Sequence, residues 1–134
     1  MPGLERSARE AMKGKPVFLD AEQATMLVEQ FQETAGIRNW TLIGVAVMAN
    51  HFHAIVEIGD KENPENVMRD LKSYGSKKLN KIFGKPESGT WWTAGGSNRP
   101  KNADAIPTLV RYLKNQDRIL AIWVDPFYDS EPEA

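Results

Sequence analysis

The two histidines of this 134-residue chain, His51 and His53, stand one residue apart in the apolar run VAVMANHFHAIVEI, Val45 to Ile58. The run is rich in β-branched residues and reads as strand. On a strand, alternate side chains share a face. His51, His53, Ile55 and Glu57 therefore point one way, and Phe52, Ala54, Val56 and Ile58 the other. Two imidazoles on one face, about 7 Å apart by strand rise, can converge on one divalent ion if a third ligand comes from elsewhere. Glu57 lies about 13 Å along the strand from His53, too far to be that ligand. The competing reading is an exposed sheet face decorated by two histidines without chemistry. A hydrolase built on three alternating histidines is disfavoured, because Ile55 occupies the third position. A phosphodiesterase with two separate H-x-T elements is disfavoured too, because the chain has no further histidine.

A second residue type able to do chemistry is Tyr74, in MRDLKSYGSKKLNKIFGK. At 100° per residue, Met68, Leu71, Gly75, Leu79 and Ile82 form one stripe that faces the core. Tyr74 falls at its edge, and its flank carries Asp70, Lys77, Lys78 and Lys81. A phenol oxygen can attack a phosphodiester where a metal polarises the phosphate and lysines offset its charge. The plainer reading is a boundary tyrosine with a buried ring and a hydrated hydroxyl.

The elements that must position these residues follow from caps and periodicity. Asp20 with Gln23 reads as a capping box opening a helix, with Ala24, Leu27, Val28 and Phe31 on one face and Gly36 suited to the exit. WTLIGVAVMAN and HFHAIVEIG read as two antiparallel strands joined by a tight turn at Ala49-Asn50. Pro64 and Gly84 bound a second helix over Pro64–Phe83. A short strand is expected around Thr90 to Thr93, a third helix over AIPTLVRYLKNQDRI and a closing strand in ILAIWVDPF. LERSAREAMKGK, with apolar residues at helical spacing, suggests a further short surface helix.

This order predicts an α+β fold in one domain spanning 1–134, with helices packed on one face of an antiparallel sheet. The ferredoxin-like βαββαβ arrangement fits best, with its first strand missing or replaced. With 41% apolar residues and 26% charged, the chain suits a single folded core. The lack of cysteine excludes disulfides, thiolate metal sites and a cysteine nucleophile. No secretory leader and no membrane-length apolar run is evident, so a cytoplasmic location is expected. A net charge of −1 leaves nucleic-acid binding to local basic patches.

Taken together, VAVMANHFHAIVEI, NPENVMRDLKSYGSKKLNK, GTWWTAGGSNRP and LVRYLKNQD resemble the single-tyrosine HUH transposases, of the insertion-sequence-200 type and the related REP-associated tyrosine transposases. The resemblance covers roughly residues 37 to 117, and the Asn-His-hydrophobic-His element is its most specific part. It implies DNA strand cleavage and transfer, DNA recombination chemistry in which His51 and His53 hold Mg²⁺ or Mn²⁺. Tyr74 then corresponds to the nucleophile that forms a 5′-phosphotyrosine link. It also implies a nucleoid-associated location, single-stranded or hairpin DNA as partner and a homodimer, in which a tyrosine helix can serve the other subunit's histidines. Lys72, Lys77, Lys78, Lys81, Arg99 and Lys101 are the candidate phosphate contacts, and Trp92 a candidate stacking platform for an unpaired base.

The chain departs from the family pattern in two places. The family often places a metal-binding amide or carboxylate one helical turn after its tyrosine, where this chain has Lys78, which cannot ligate while protonated. Water, DNA phosphate or Asn80 remain as third ligand. The missing first strand would leave an open sheet edge, unless ILAIWV or a second chain fills it; otherwise the gene is a remnant that encodes a folded but inactive protein. These departures keep two other classes in view: a hairpin-DNA-binding protein that has lost catalysis, and a metal-dependent RNA or nucleotide hydrolase using water as nucleophile.

Overall fold

The segment Thr41–Val47 is apolar at nearly every position, and it becomes β1, the central strand of the sheet. In the computed structural model, which describes residues 17–92, 96 and 98–129, β1 pairs antiparallel with β2 (Phe52–Glu57) on one side. On its other side it pairs antiparallel with β3 (Ala121–Val124). The expected tight turn forms at Ala49-Asn50, closed by the Met48 N–H donating to the His51 carbonyl at 2.8 Å. Register sets Ala46 opposite both His53 and Ile122, and Val45 opposite Ala54 and Trp123.

Two helices cover one face. Helix α1, Ala21–Arg38, starts at the predicted capping box: the Gln23 N–H donates to Asp20 Oδ1 at 2.8 Å, and the Asp20 N–H donates to Gln23 Oε1 at 3.0 Å. It outruns the expected exit at Gly36, because Asn39 accepts the left-handed conformation (φ 62°) that caps it. Helix α2, Pro64–Phe83, has the predicted bounds, with Asn63 capping the Glu65 N–H and Gly84 at the exit. The two run antiparallel: Arg38, at the end of α1, pairs with Asp70 near the start of α2, and Gly75 of α2 meets Leu27 and Phe31 of α1. A Cβ at Gly75 would come within 2.9 Å of Leu27 Cδ2, so the glycine permits this close approach. Leu27, Phe31, Leu71 and Leu79 pack with Leu42, Val45 and Val47 of β1, and Phe52, Ala54 and Val56 of β2 lie against them. Ile82, expected on the core stripe, is exposed, lying beyond Leu79, the last buried residue of α2.

The other face of the sheet is covered too. Helix α3, Ile106–Lys114, follows a 3₁₀ turn at Ala103–Ala105 and buries Leu113 with Ala46 and Met48, against Ile55, Ile119 and Val124. The α+β class holds, but helices on one face only is corrected. Ala46 and Met48 alternate with Val45 and Val47, so β1 is apolar on both faces and both need cover. Gly44 makes the seat for α3: a Cβ there would lie 2.8 Å from Leu113 Cδ2.

Along the chain the order α1-β1-β2-α2-α3-β3 follows the αββαβ portion of the expected arrangement with α3 added. But β1, the strand after α1, lies at the centre of the sheet, where a ferredoxin-like arrangement would put it at an edge. ILAIWV supplies β3 beside β1, and the outer edge of β2 carries no strand among the described residues. Thr90 to Trp92 form no strand. The Thr90 hydroxyl instead accepts from the Trp92 N–H at 3.1 Å, a local bond that competes with a sheet ladder. Thr93 and the segment expected as the first short helix lie outside the described residues.

Candidate active site around His51 and His53

The alternation predicted for β2 holds. Phe52, Ala54 and Val56 face α1 and α2, and Ile55 packs with the α3 cluster on the opposite side. The two imidazoles share that second side, with ring centres 5.2 Å apart and planes at 85°. Such a span suits two rings bound to one ion through metal–nitrogen bonds of about 2.1 Å.

His51 is oriented by its neighbour: Nδ1 lies 2.8 Å from Asn50 Oδ1. An amide oxygen only accepts, so Nδ1 carries the proton and donates, leaving the Nε2 lone pair free for a ligand. Burial lowers the pKa of both histidines, and for His53 the charge of a protonated His51 lowers it further. Both rings are thus biased toward the neutral form that binds a metal. Among the described residues no cluster of three or more His, Cys, Asp or Glu could hold a metal ion. Among the described residues this leaves an amide, with water or a substrate phosphate, to stand beside the two imidazoles in a metal shell.

The tyrosine beside this pair is Tyr112. Its ring centre lies 6.0 Å from that of His53, edge-on at 71°, and the residue is 60% exposed. It sits on α3, held to the sheet by its neighbour Leu113 over Gly44. One turn further on, Gln116 folds back so that Nε2 donates to the Tyr112 carbonyl at 3.1 Å. Tyr112 lies within LVRYLKNQD, yet residue type and periodicity alone do not mark it as a site residue. The available signal was Tyr-x-x-x-Gln, a phenol followed by an amide one turn later.

Tyr74 and Asn80 belong to α2, on the layer over the other face. Tyr74 is 37% exposed with the Lys77 ammonium 4.9 Å from its ring centre, and no ring contact or hydrogen bond joins it to either histidine among the described residues. The Asn80 side-chain oxygen Oδ1, the atom that would ligate, instead accepts the Trp91 indole N–H at 2.7 Å. Trp92 is fastened to α2 as well. Its indole N–H donates to Ser76 Oγ at 2.6 Å and to the Lys72 backbone carbonyl at 3.0 Å, and its ring meets Phe52 at 5.5 Å. That ring serves the core where a base platform was expected. Lys72 is half-buried beside Gly96, and burial lowers its pKa, whereas Lys77, Lys78, Lys81, Arg99 and Lys101 are exposed.

No helix among the described residues is long and apolar enough to cross a membrane. A family model described as "Transposase IS200 like" matches residues 11–116. No curated protein and no solved structure matches the chain.

Proposed function

Because the chain belongs to the IS200-like transposase family, we propose that it cleaves and transfers single-stranded or hairpin DNA in a metal-dependent reaction, with Tyr112 as the nucleophile. The observation that carries this reading is the Tyr112 ring 6.0 Å from His53, on the face that bears both histidines. The family pattern adds support. The amide expected one turn after the tyrosine is Gln116 if the tyrosine is Tyr112, whereas Tyr74 would place Lys78 there. Assigning Tyr112 therefore removes the departure at Lys78.

His51 through Nε2, His53 and the Gln116 amide would hold Mg²⁺ or Mn²⁺, with the DNA phosphate completing the shell. When bound, the ion acts as a Lewis acid that offsets charge on the phosphate oxygens. Asn50 fixes the His51 ring, and α3 presents the phenol at the edge of His53. The Tyr112 oxygen forms a bond to phosphorus while the bond from phosphorus to the 3′-oxygen breaks. The phenol gives up its proton and the departing 3′-oxygen gains one, leaving a 5′-phosphotyrosine and a free 3′-hydroxyl. An incoming 3′-hydroxyl reverses these steps, and the ester energy is conserved throughout.

Incubation with end-labelled hairpin DNA and Mn²⁺ tests the reading. A covalent adduct that survives denaturation and is lost in Tyr112→Phe is the expected result. Cleavage without any adduct would favour the hydrolase reading instead. The exposure of Tyr74 favours a second arrangement, in which it serves the histidines of another copy in a homodimer. There the adduct would persist in Tyr112→Phe and vanish in Tyr74→Phe.

A further inference from the structure

With Tyr112 as the nucleophile, Tyr74 takes no part in the cleavage, and its surroundings suggest another role. From Leu71 to Pro86 the chain carries five lysines and no acidic residue, in a protein whose net charge is −1. Three of these lysines share a stripe with Tyr74 on α2. At 100° per residue, Lys77, Lys81 and Lys78 lie within about 60° of it, and all four residues are exposed. The stripe runs about 10 Å along the helix from Tyr74 to Lys81. Like charges at Lys77 and Lys81, four residues apart, oppose the helix rather than support it. The Lys77 ammonium sits over the Tyr74 ring at 4.9 Å, so ring and cation lie together at the surface of α2. A partly exposed aromatic ring beside a row of cations matches the chemistry of an unpaired nucleotide, whose base stacks while its phosphates meet the lysines. A duplex offers the phosphates but keeps its bases stacked on one another. An acidic protein would match the lysines but leave the ring unused.

We propose that Tyr74, Lys77, Lys78 and Lys81 form a track for single-stranded DNA on the helical layer opposite the histidines, with Tyr74 stacking an unpaired base. This rests on Tyr112 being the nucleophile. The track would hold strand lying beyond the cleavage site, and its binding requires no metal.

Fluorescence anisotropy of the full chain with a labelled single-stranded oligothymidylate in EDTA tests the track across a salt series. Tyr74→Ala is expected to weaken binding about tenfold or more, whereas Tyr74→Phe and Tyr74→Trp, which keep an aromatic face, retain it. Lys77→Ala and Lys81→Ala should each lower the salt slope by about 0.7. Circular dichroism of each variant checks that α2 is intact, and Lys81→Glu provides a second, solvent-facing change with a larger expected loss. Unchanged affinity in both Tyr74→Ala and Lys81→Glu would overturn the track and leave the Tyr112 reading standing. An equal loss for duplex DNA in Tyr74→Ala would overturn the stacking role, and preferential loss for RNA of matched sequence would overturn the assignment to DNA. A DNA adduct mapped to Tyr74 would instead overturn the Tyr112 reading on which the track rests.

Discussion

Gly44 decides where the phenol stands. A Cβ at this position would be 2.8 Å from Leu113 Cδ2 and 3.4 Å from the Trp123 carbonyl oxygen. The first distance is about 0.6 Å short of ordinary van der Waals contact. Leu113 is buried over β1 and precedes Lys114, which is tied to Asp129, so α3 has little room to absorb the change in place. Gly44→Val adds two further methyl groups to that contact and should push α3 off the sheet. Overpacking of this kind costs roughly 1–3 kcal/mol, a fall in thermal midpoint of several degrees for a domain of this size. The functional cost should be larger, because a displacement near 1 Å at a reacting group lowers rate by about 100-fold. The assay is the rate of covalent adduct formation on hairpin DNA with Mn²⁺, beside anisotropy for binding and a thermal melt for folding. Adduct formation is expected to slow by about 10- to 100-fold while the protein remains folded and binds DNA. Wild-type adduct rates in a folded Gly44→Val protein would refute the idea that the α3 seat places the nucleophile.

Asn50→Ala removes the acceptor that orients His51, and Mn²⁺ affinity measured by calorimetry should fall about 10- to 100-fold without loss of fold. Trp92→Phe keeps the ring against Phe52 but removes the donor to Ser76 and Lys72, and should cost about 1 kcal/mol in a denaturant titration. Stability of the metal-free protein should also depend on pH. Both histidines have folded pKa values below their ordinary 6.5, so the unfolded chain takes up protons first as pH falls. The stability from their neutral forms is full above about pH 6.5 and declines below it. Melting midpoints between pH 8 and 5 should show this decline, smaller in a His53→Gln variant.

Local chemistry made much of this molecule readable. Asp20 with Gln23, and Asn63 with Pro64 and Gly84, mark helix ends because orphan backbone groups need partners there. Alternation along β2 put both imidazoles on one face without any knowledge of the partner strands. The position of α3 was harder to read, because the periodicity of Val110 and Leu113 says that a helix buries one stripe but not against which sheet face. The clue lay in TLIGVAV, a strand apolar on both sides, which required cover over the histidine face. Without a helix on the histidine face nothing in the pattern brings Tyr112 there, and Tyr74 enters only through the resemblance, as the tyrosine on the helix that follows the histidines. Trp91 and Trp92 sit in a loop whose sequence carries no period, and their docking onto Asn80 and Ser76 depends on tertiary contacts alone.

The most direct measurement is peptide mapping of the covalent product. Wild-type protein is reacted with single-stranded hairpin DNA and Mn²⁺, digested with nuclease and protease, and the nucleotide-bearing peptide sequenced by mass spectrometry. The account predicts a nucleotide phosphate on Tyr112. A phosphate on Tyr74, or cleaved DNA with no modified tyrosine, would contradict it.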